Sequence, residues 1–287
     1  MVVNNTPVEQ FDLRGFPVLV KREDLCSPYP GPAFSKIRGV VKHIESRPER
    51  YIGVLDTAHS KAGWAVSYVC RALGKHAVNF YPCRVSEDPY QLKEQQKEAQ
   101  NLGATLVRLQ AGRSAVLYHR ARKELASTFG LRETMTYMMP NALKLPESVT
   151  ENAEEAKRTL ASLPSEGGSV VISISSGTVA AGVMRGFYDA GVWDKWRFIL
   201  HLGYTRSFPA VGEYLVTASG RPLFRENGPA LLDEGYGYAD PAGKTLYPVP
   251  FPANPFYDEK AWNWLADNIH VLPALQSKPV LFWNIGA

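Results

Sequence analysis

The sequence lacks the features that mark membrane and secreted proteins. No apolar run reaches the roughly eighteen residues that a membrane-spanning helix needs. The first residues, Met1–Asp12, hold no basic patch followed by an apolar core, so a signal peptide is not expected. These two absences favour a cytoplasmic protein with no membrane partner.

Cysteine is also scarce. The three cysteines, Cys26, Cys70 and Cys83, form an odd and widely spaced set, which argues against a disulfide framework. No Cys-x-x-Cys pair is present, so neither a structural zinc site nor another bound metal is expected. Such sparse cysteine usage is typical of a reducing compartment.

The remaining composition is that of a globular protein. Of the 287 residues, 45% are hydrophobic and 21% are charged, which suffices for one large domain or two smaller ones. The net charge of +4 is a weak indication of a polyanionic partner, because an ordinary solvated surface explains it equally well.

Strand-like and helix-like segments alternate along most of the chain. Strands that alternate with helices of about ten to fifteen residues predict parallel sheets in an α/β fold. The expected strands are Phe16–Lys21, Tyr51–Leu55, Ala77–Tyr81, Thr105–Leu109, Ser169–Ser173, Phe198–Leu202 and Val280–Trp283. The expected helices are Ala62–Leu73, Gln91–Leu102, Ser114–Phe129 and Thr178–Ala190.

Local signals describe two further segments. Ser148 and Glu151 have the spacing of a capping box, which predicts a helix that begins there and continues over Asn152–Leu163. The segment Ala242–Pro255 is rich in proline and glycine, and this composition predicts an ordered loop.

The first chemical signal lies in the segment Val18–Val41. A strand ends in Lys-Arg-Glu-Asp-Leu (21–25), and after a proline-rich loop Ser35–Gly39 opens an amphipathic helix. A lysine at a helix start, here Lys36, lies in a positive field that favours the neutral amine. Schiff-base chemistry requires that neutral form. Taken alone, a lysine at this position is more often an ordinary surface residue.

The second signal follows about 140 residues later, in Gly168–Gly186. A buried strand runs into a turn of small residues and then a helix. Small residues let the backbone approach a phosphate, and the helix start supplies amide donors. The predicted phosphate donors are Ser175, Ser176, Gly177 and Thr178.

These segments, in this order, resemble the tryptophan synthase β-like (fold type II) enzymes that use pyridoxal 5′-phosphate (PLP). The nearest branches are threonine dehydratase, 1-aminocyclopropane-1-carboxylate (ACC) deaminase and D-cysteine desulfhydrase. Their pattern is Lys-Arg-Glu-Asp-Leu, then Ser-Phe-Lys-x-Arg-Gly, then Gly-Ser-Gly-Gly-Thr. The resemblance implies that Lys36 carries PLP as a Schiff base and moves protons at the substrate α-carbon. By analogy it also implies a homodimer.

The family's substrate loop is altered in this chain. It usually reads Ser-x-Gly-Asn-His, in which asparagine contacts the cofactor ring oxygen and the loop amides hold the substrate carboxylate. Here Ser60 stands at the asparagine position and Lys61 at the histidine position. The resemblance assigns Ser60 to the cofactor, and Thr57, His59 and Lys61 to the substrate. The alternative for Lys61 is a side chain that points to solvent.

Two tyrosines lie in segments that resemble the deaminase branch. Gly-Tyr-Gly-Tyr (235–238) matches a turn of that branch, and Asn254–Ala261 matches the start of one of its helices. The resemblance implies that Tyr236 and Tyr257 face the substrate. Packing is the alternative role for both rings.

The C-terminal segment Val280–Ala287 resembles the family's closing strand. Ile285 stands where threonine is common, and Val249 and Pro250 stand where the deaminase branch supplies a glutamate. We therefore expect a weak partner at the pyridine nitrogen, and a poorly protonated ring is a weaker electron sink.

The sequence leaves three functions open. The first is a lyase or deaminase that forms an external aldimine with an amino-acid-like substrate, followed by elimination or replacement. The second resembles phage enzymes that act on an amino acid attached to a thymine in DNA, for example by decarboxylation. Basic residues would then meet phosphates, although a solvated helix face is the alternative. These residues are Lys61, Arg113, Arg120, Arg122 and Lys123. The third is a non-catalytic binding protein.

Two α/β domains are expected. The smaller one spans 47–141 and contains the substrate-binding loop. The larger one spans 1–46 and 142–287 and contains the Schiff-base lysine and the phosphate-binding turn.

Overall fold

The computed structural model of the chain describes residues 3–57, 59–83, 88, 91–110, 112–129, 135–224, 228–276 and 278–286. Internal contacts divide them into two compact units. The first is built mainly from residues 27–32 and 39–145, and the second from 4–26, 33–38 and 146–286. The domain bounds expected from the sequence stay a prediction.

The second unit contains a six-stranded sheet in the order β1–β2–β10–β7–β8–β9. The outer pair β1–β2 is antiparallel and the other neighbours run parallel. The central strand β7 is buried along its whole length, as its Val and Ile content favours. The strands are β1 (Val8–Leu13), β2 (Phe16–Arg22), β7 (Gly168–Ile174), β8 (Trp196–Leu202), β9 (Ala230–Leu232) and β10 (Val280–Asn284).

Helices α5 and α6 of this unit pack unusually closely. A Cβ atom at Gly182 would lie 2.6 Å from the carbonyl oxygen of Val149, and one at Gly186 would lie 2.5 Å from that of Ala153. Only glycine therefore permits this approach. The helices are α5 (Pro146–Thr159), α6 (Thr178–Asp189), α7 (Phe208–Ser219), α8 (Asp258–Asn268) and α9 (Pro273–Gln276).

The start of α5 corrects one sequence prediction. The prediction of a capping box at Ser148 and Glu151 was wrong, because the helix already begins at Pro146. Proline fits the first helical position, since its fixed φ suits the helix and its missing N–H has no partner to lose there. Ser148 lies inside the helix, fully buried. The predicted loop Ala242–Pro255 contains no helix or strand, and its ends join through the Ala242 amide and Pro255 carbonyl, 2.7 Å apart.

The first unit contains a four-stranded parallel sheet in the order β5–β4–β3–β6. Its strands are β3 (Tyr51–Leu55), β4 (His76–Cys83), β5 (Thr105–Gln110) and β6 (Thr136–Met138). Its helices are α2 (Ala62–Ala72), α3 (Glu94–Asn101) and α4 (Ser114–Phe129). Helix α1 (Ile37–Glu45) begins in the second unit and continues into the first. Both sheets confirm the predicted α/β class.

In the part of the chain that the structure describes, no helix is long and apolar enough to cross a membrane. The same residues contain no group of three or more His, Cys, Asp or Glu side chains arranged to hold a metal ion.

Candidate active site

The structure places Lys36 at the turn that the sequence assigned to phosphate. Lys36 directly precedes α1, and its Nζ donates a hydrogen bond to Ser176 Oγ over 2.8 Å. Ser176 Oγ lies 3.1 Å from Thr178 Oγ1 in the same turn. Two segments about 140 residues apart in the sequence thus bring an amine and a pair of hydroxyl groups together.

The turn itself has the geometry of an anion cradle. It joins the end of β7 to the first residue of α6, where helix amides lack partners within the helix. Gly177 adopts φ +87°, a left-handed conformation that other residues rarely take. A Cβ atom there would also crowd Leu215 and Tyr214, each at 3.2 Å. The turn therefore requires glycine at position 177.

Two side chains at this turn were not anticipated from the sequence. The Tyr214 hydroxyl lies 2.8 Å from Thr178 Oγ1, and burial raises the pKa of Tyr214. The Arg206 guanidinium donates to the carbonyl oxygen of Ser175. Both residues follow the turn by about thirty residues or more, and no local pattern marks them. Arg206 adds a permanent positive charge beside the predicted phosphate donors.

A buried ion network explains the Lys-Arg-Glu-Asp-Leu motif. Lys21 pairs with Glu155, and Arg38 donates two hydrogen bonds to Glu23, at 2.9 and 3.0 Å. Arg38 also lies 3.5 Å from Glu155. Burial alone would raise the pKa of Glu155, but these cations, together with the exposed neighbour Arg158, lower it to about 2. The motif thus holds the segment that carries Lys36.

A buried acid stands beside the position where the family places a partner for the pyridine nitrogen. Asp258 Oδ1 accepts hydrogen bonds from the Ile285 amide at 3.1 Å and from Ser173 Oγ at 2.9 Å. Burial raises the pKa of Asp258 to about 7. The Ile285 carbonyl in turn accepts from the Ser35 amide at 3.0 Å. The sequence predicts no acid here, because Val249 and Pro250 stand at the positions that match the family's glutamate. An acid at the first position of α8 was the signal available.

The two predicted substrate tyrosines have different surroundings. The Tyr257 side chain hydrogen-bonds that of Ser175, and burial raises its pKa. Its ring lies so close to Gly203 that a Cβ there would be 2.6 Å from the ring. The Tyr236 ring instead lies 4.3 Å from the Nζ of buried Lys260, which donates to the Gly203 carbonyl at 2.6 Å. Tyr257 thus contacts the turn through Ser175. The substrate roles of both tyrosines stay predictions.

The predicted substrate loop lies in the first unit, between β3 and α2. The Ser60 amide donates to the Thr57 carbonyl at 3.4 Å, and Ser60 Oγ accepts from the Ala62 amide at 3.1 Å. Lys61 Nζ lies 5.3 Å from the centre of the Trp64 ring. His59 lies in the turn between Thr57 and Ser60. The four residues form one loop at the start of a helix, and their assignment to cofactor and substrate stays a prediction.

Buried Asp56 is hydrogen-bonded to the start of this loop. It accepts hydrogen bonds from the Thr57 amide at 3.0 Å and from Asn79 Nδ2 at 3.4 Å. Burial raises the pKa of Asp56 to about 7, and these hydrogen bonds oppose the shift only in part. Among the residues that the structure describes, the groups that hydrogen-bond this carboxyl group are amides.

The donor set of the turn fits a phosphorylated aldehyde. Hydroxyl groups, helix amides and a guanidinium can bind a phosphate dianion, and the Lys36 amine is the group that bonds to an aldehyde. The left-handed glycine removes the side chain that would obstruct the backbone donors. Lys36, Ser176, Thr178 and Arg206 are therefore suited to hold PLP.

Comparison with known proteins agrees with this chemistry. Residues 1–218 match the family described as "Pyridoxal-phosphate dependent enzyme". The match covers well over half of the chain, and the chain belongs to this family. A curated relative from Pseudomonas phage M6, "Glycyl-dTMP PLP-dependent decarboxylase", is 56% identical over 288 residues and covers the whole of both chains.

Solved structures confirm the tryptophan synthase β-like fold. An ACC deaminase homologue superposes with a TM-score of 0.81 at 18% identity, covering 100% of this chain and 90% of the other. The processed form of threonine deaminase isoform 2 from Solanum lycopersicum superposes with a TM-score of 0.64 at 15% identity, covering 100% and 80%. At such low identity the likeness concerns the fold alone. The chain is thus a PLP-dependent enzyme of fold type II.

Proposed function

We propose that this enzyme is a decarboxylase that removes the carboxylate of a glycyl group carried by a thymidine nucleotide. The full-length relative at 56% identity carries this proposal. The Lys36 amine, 2.8 Å from Ser176 Oγ, supplies the group that the chemistry needs. Of the enzymatic functions that the sequence leaves open, the action on a modified thymine therefore has better support than a lyase or deaminase acting on a free amino acid.

The reaction sets two requirements for the substrate. To react with the aldehyde of PLP, the substrate would need a free primary amine, and loss of carbon dioxide requires a free carboxylate. A glycyl group that keeps both groups free is joined to the base through its α-carbon. The product then carries an aminomethyl group in place of the glycyl group, because one proton replaces the departing carbon dioxide at the α-carbon.

Each residue of the turn has a distinct task in this proposal. The bound cofactor supplies an electron sink for the carbon that loses its carboxylate. Thr178, Ser176 and Arg206 hold the phosphate and so fix the cofactor's position. The Lys36 amine would deliver the proton that the α-carbon must gain.

Lys36→Ala is the test of this proposal, with Lys42→Ala as matched control because Lys42 is exposed on the same helix. We expect the first variant to lose both the visible absorbance band of lysine-bound PLP and carbon dioxide release from glycyl-modified thymidine nucleotides. The control retains both.

Three outcomes would contradict the proposal. If Lys36→Ala keeps the absorbance band, another residue holds the cofactor. If free amino acids yield ammonia while the glycyl nucleotide stays unchanged, the enzyme is a deaminase. If no compound of either class shifts the band, the protein binds PLP without catalysis.

A further inference from the structure

Asp258 joins the ends of two neighbouring strands of the second unit. It is the first residue of α8, and its side chain is buried. Asp258 Oδ1 accepts a hydrogen bond from Ser173 Oγ, at 2.9 Å, and another from the Ile285 amide, at 3.1 Å. Ser173 lies near the end of β7, and Ile285 directly follows β10, which pairs with β7 in parallel. One carboxyl oxygen therefore fixes the carboxyl ends of both strands relative to each other.

The Ser173 contact leads to the turn 175–178. Strand β7 ends one residue after Ser173 and continues directly into this turn. Tyr257, which precedes Asp258 in the chain, hydrogen-bonds the side chain of Ser175. The start of α8 thus contacts both the end of β7 and the first residue of the turn.

The Ile285 contact leads to Lys36. The Ile285 carbonyl accepts a hydrogen bond from the Ser35 amide at 3.0 Å, and Ser35 directly precedes Lys36. The next residue of the strand end, Gly286, lies so close to the loop before α1 that a Cβ atom there would overlap the Ala33 carbonyl oxygen. A shift of this strand end would therefore also move the segment that carries the lysine.

The two routes from Asp258 meet again at the candidate site. Lys36 Nζ donates to Ser176 Oγ at 2.8 Å, so the contacts close into a ring that runs through both strand ends. Asp258 is the point of this ring at which a side chain holds β7 and β10 together. Its position therefore bears on the separation between the lysine amine and the predicted phosphate donors.

Burying a carboxyl group at this place costs free energy. Burial raises the pKa of Asp258 to about 7, and the nearby buried Asp24 raises it further. The donors that reach the Asp258 side chain within the described ranges are amides and one hydroxyl, whereas Glu155 contacts the cations Lys21 and Arg38. A buried acid held in this way is destabilising by itself, and such acids are typical of functional sites. Packing alone does not explain Asp258.

We propose that Asp258 is a positioning residue that holds the Lys36 amine and the turn 175–178 at the separation that PLP requires. The inference rests on the cofactor site described above, and it goes beyond the proposed function because it is independent of the substrate. A ligand that is bound at both ends gains affinity only if its two sites keep the right separation. PLP is such a ligand, with its aldehyde and its phosphate, whereas pyridoxal carries the aldehyde alone.

The experiment compares PLP with pyridoxal in the full-length protein freed of bound cofactor. Both dissociation constants are measured by titrating the visible absorbance band of the lysine-bound aldehyde, and their ratio is the readout. Asp258→Ala removes both contacts of the carboxyl oxygen, and Ser173→Ala removes the contact with β7. Asp258→Asn keeps an oxygen that can accept both hydrogen bonds. Asp267→Ala is the control, because Asp267 is exposed on the same helix.

We expect the wild type to bind PLP more tightly than pyridoxal. In Asp258→Ala the dissociation constant of PLP should rise about tenfold to a hundredfold, while that of pyridoxal should change by less than about twofold. Ser173→Ala should give a smaller rise for PLP, because the contact with the Ile285 amide remains. Asp258→Asn and Asp267→Ala should match the wild type for both compounds.

Three results would overturn this inference. Equal weakening of PLP and pyridoxal in Asp258→Ala would show a general loss of structure. A loss in Asp258→Asn as large as in Asp258→Ala would assign the effect to charge in place of position. An unchanged ratio in Ser173→Ala would show that the contact with β7 does not position the turn, and this variant decides alone if Asp258→Ala does not fold.

The measurement needs no turnover, so it separates this inference from the proposed function. A protein that gives the expected ratios but releases no carbon dioxide from glycyl-modified nucleotides would refute the proposed function and leave the role of Asp258 standing. A protein that releases carbon dioxide but shows the same ratio in all four variants would do the reverse.

Discussion

Glu155 of the second unit and Asp56 of the first unit are buried carboxyl groups that are held in opposite ways. In the second unit, Glu155 contacts Lys21 and Arg38, and its pKa is lowered to about 2. In the first unit, Asp56 contacts amides, and burial raises its pKa to about 7. The segment that carries Lys36 is therefore held by paired charges. The predicted substrate loop is held instead by Asp56, a carboxyl group whose ionisation is opposed by burial.

The strongest way to break this comparison is to remove Glu155. Glu155→Gln should leave Lys21 buried without its counter-ion, at a cost of about 3–5 kcal/mol in the free energy of unfolding. Glu154→Gln is the matched control, because the side chain of Glu154 is 47% exposed against 1% for Glu155. The control should cost under about 0.5 kcal/mol. Urea unfolding measures both values, and equal losses would mean that the buried network does not stabilise the fold.

A pH series sharpens the comparison. The Asp56 pKa is raised from 3.8 to about 7 on folding. Between these values the folded protein holds a proton that the unfolded chain has lost, so stability falls as the pH rises. In Asp56→Asn, the decrease in the free energy of unfolding over this pH range should be smaller by up to about 4 kcal/mol. Glu155 acts in the opposite sense, since its contribution is present above its unfolded pKa of 4.5 and is lost as the pH falls towards 2.

Urea unfolding between pH 4 and 8 tests this prediction. In the Asp56→Asn variant, the free energy of unfolding should still fall with pH, but less steeply. Buried Asp258 accounts for the rest, because burial raises the pKa of Asp258 to about 7 as well. The exposed Asp194→Asn variant serves as control and should follow the wild type at every pH. A slope in Asp56→Asn as steep as in the wild type would contradict the assigned ionisation of Asp56.

The smallest effect is expected at Lys61. Its amine lies over the Trp64 ring on a partly exposed loop, a contact worth about 0.5–1 kcal/mol. Lys61→Gln should therefore change stability by no more than that amount. If the loop holds the substrate carboxylate, KM rises while kcat and the PLP absorbance band are retained. Lys61→Arg keeps the charge and should restore most of the affinity. A loss of the PLP band in Lys61→Gln would instead place this residue at the cofactor.

Local patterns were sufficient for the α/β class and for the turn 175–178 between β7 and α6, whereas the cofactor role of Lys36 came from the resemblance to a family and stays a prediction. The class and the turn each depend on residues that are neighbours in the sequence, such as the apolar run of β7 followed by small residues at the start of α6. The edge strand β1 (Val8–Leu13) was not predicted, because its residues are mostly half-exposed and include charged side chains.

Contacts between distant segments were not predicted from the sequence, for a different reason. Arg206, in the loop before α7, and Tyr214, in α7, contact the turn. Asp258, at the start of α8, contacts Ile285 after β10. Such pairs leave no periodicity in the sequence, since only the folded chain brings them together. The Lys21–Glu155 pair is hidden in the same way: the motif showed the lysine, but its partner lies 134 residues away.

The close packing of α5 and α6 makes α5 a common support for two halves of the cofactor site. One side of α5 packs against Gly182 and Gly186, and so fixes the position of α6, whose first turn contains the predicted phosphate donor Thr178. The same helix supplies Glu155 to the strand and segment that lead to Lys36. A small rigid-body displacement of α5 would thus carry both halves with it.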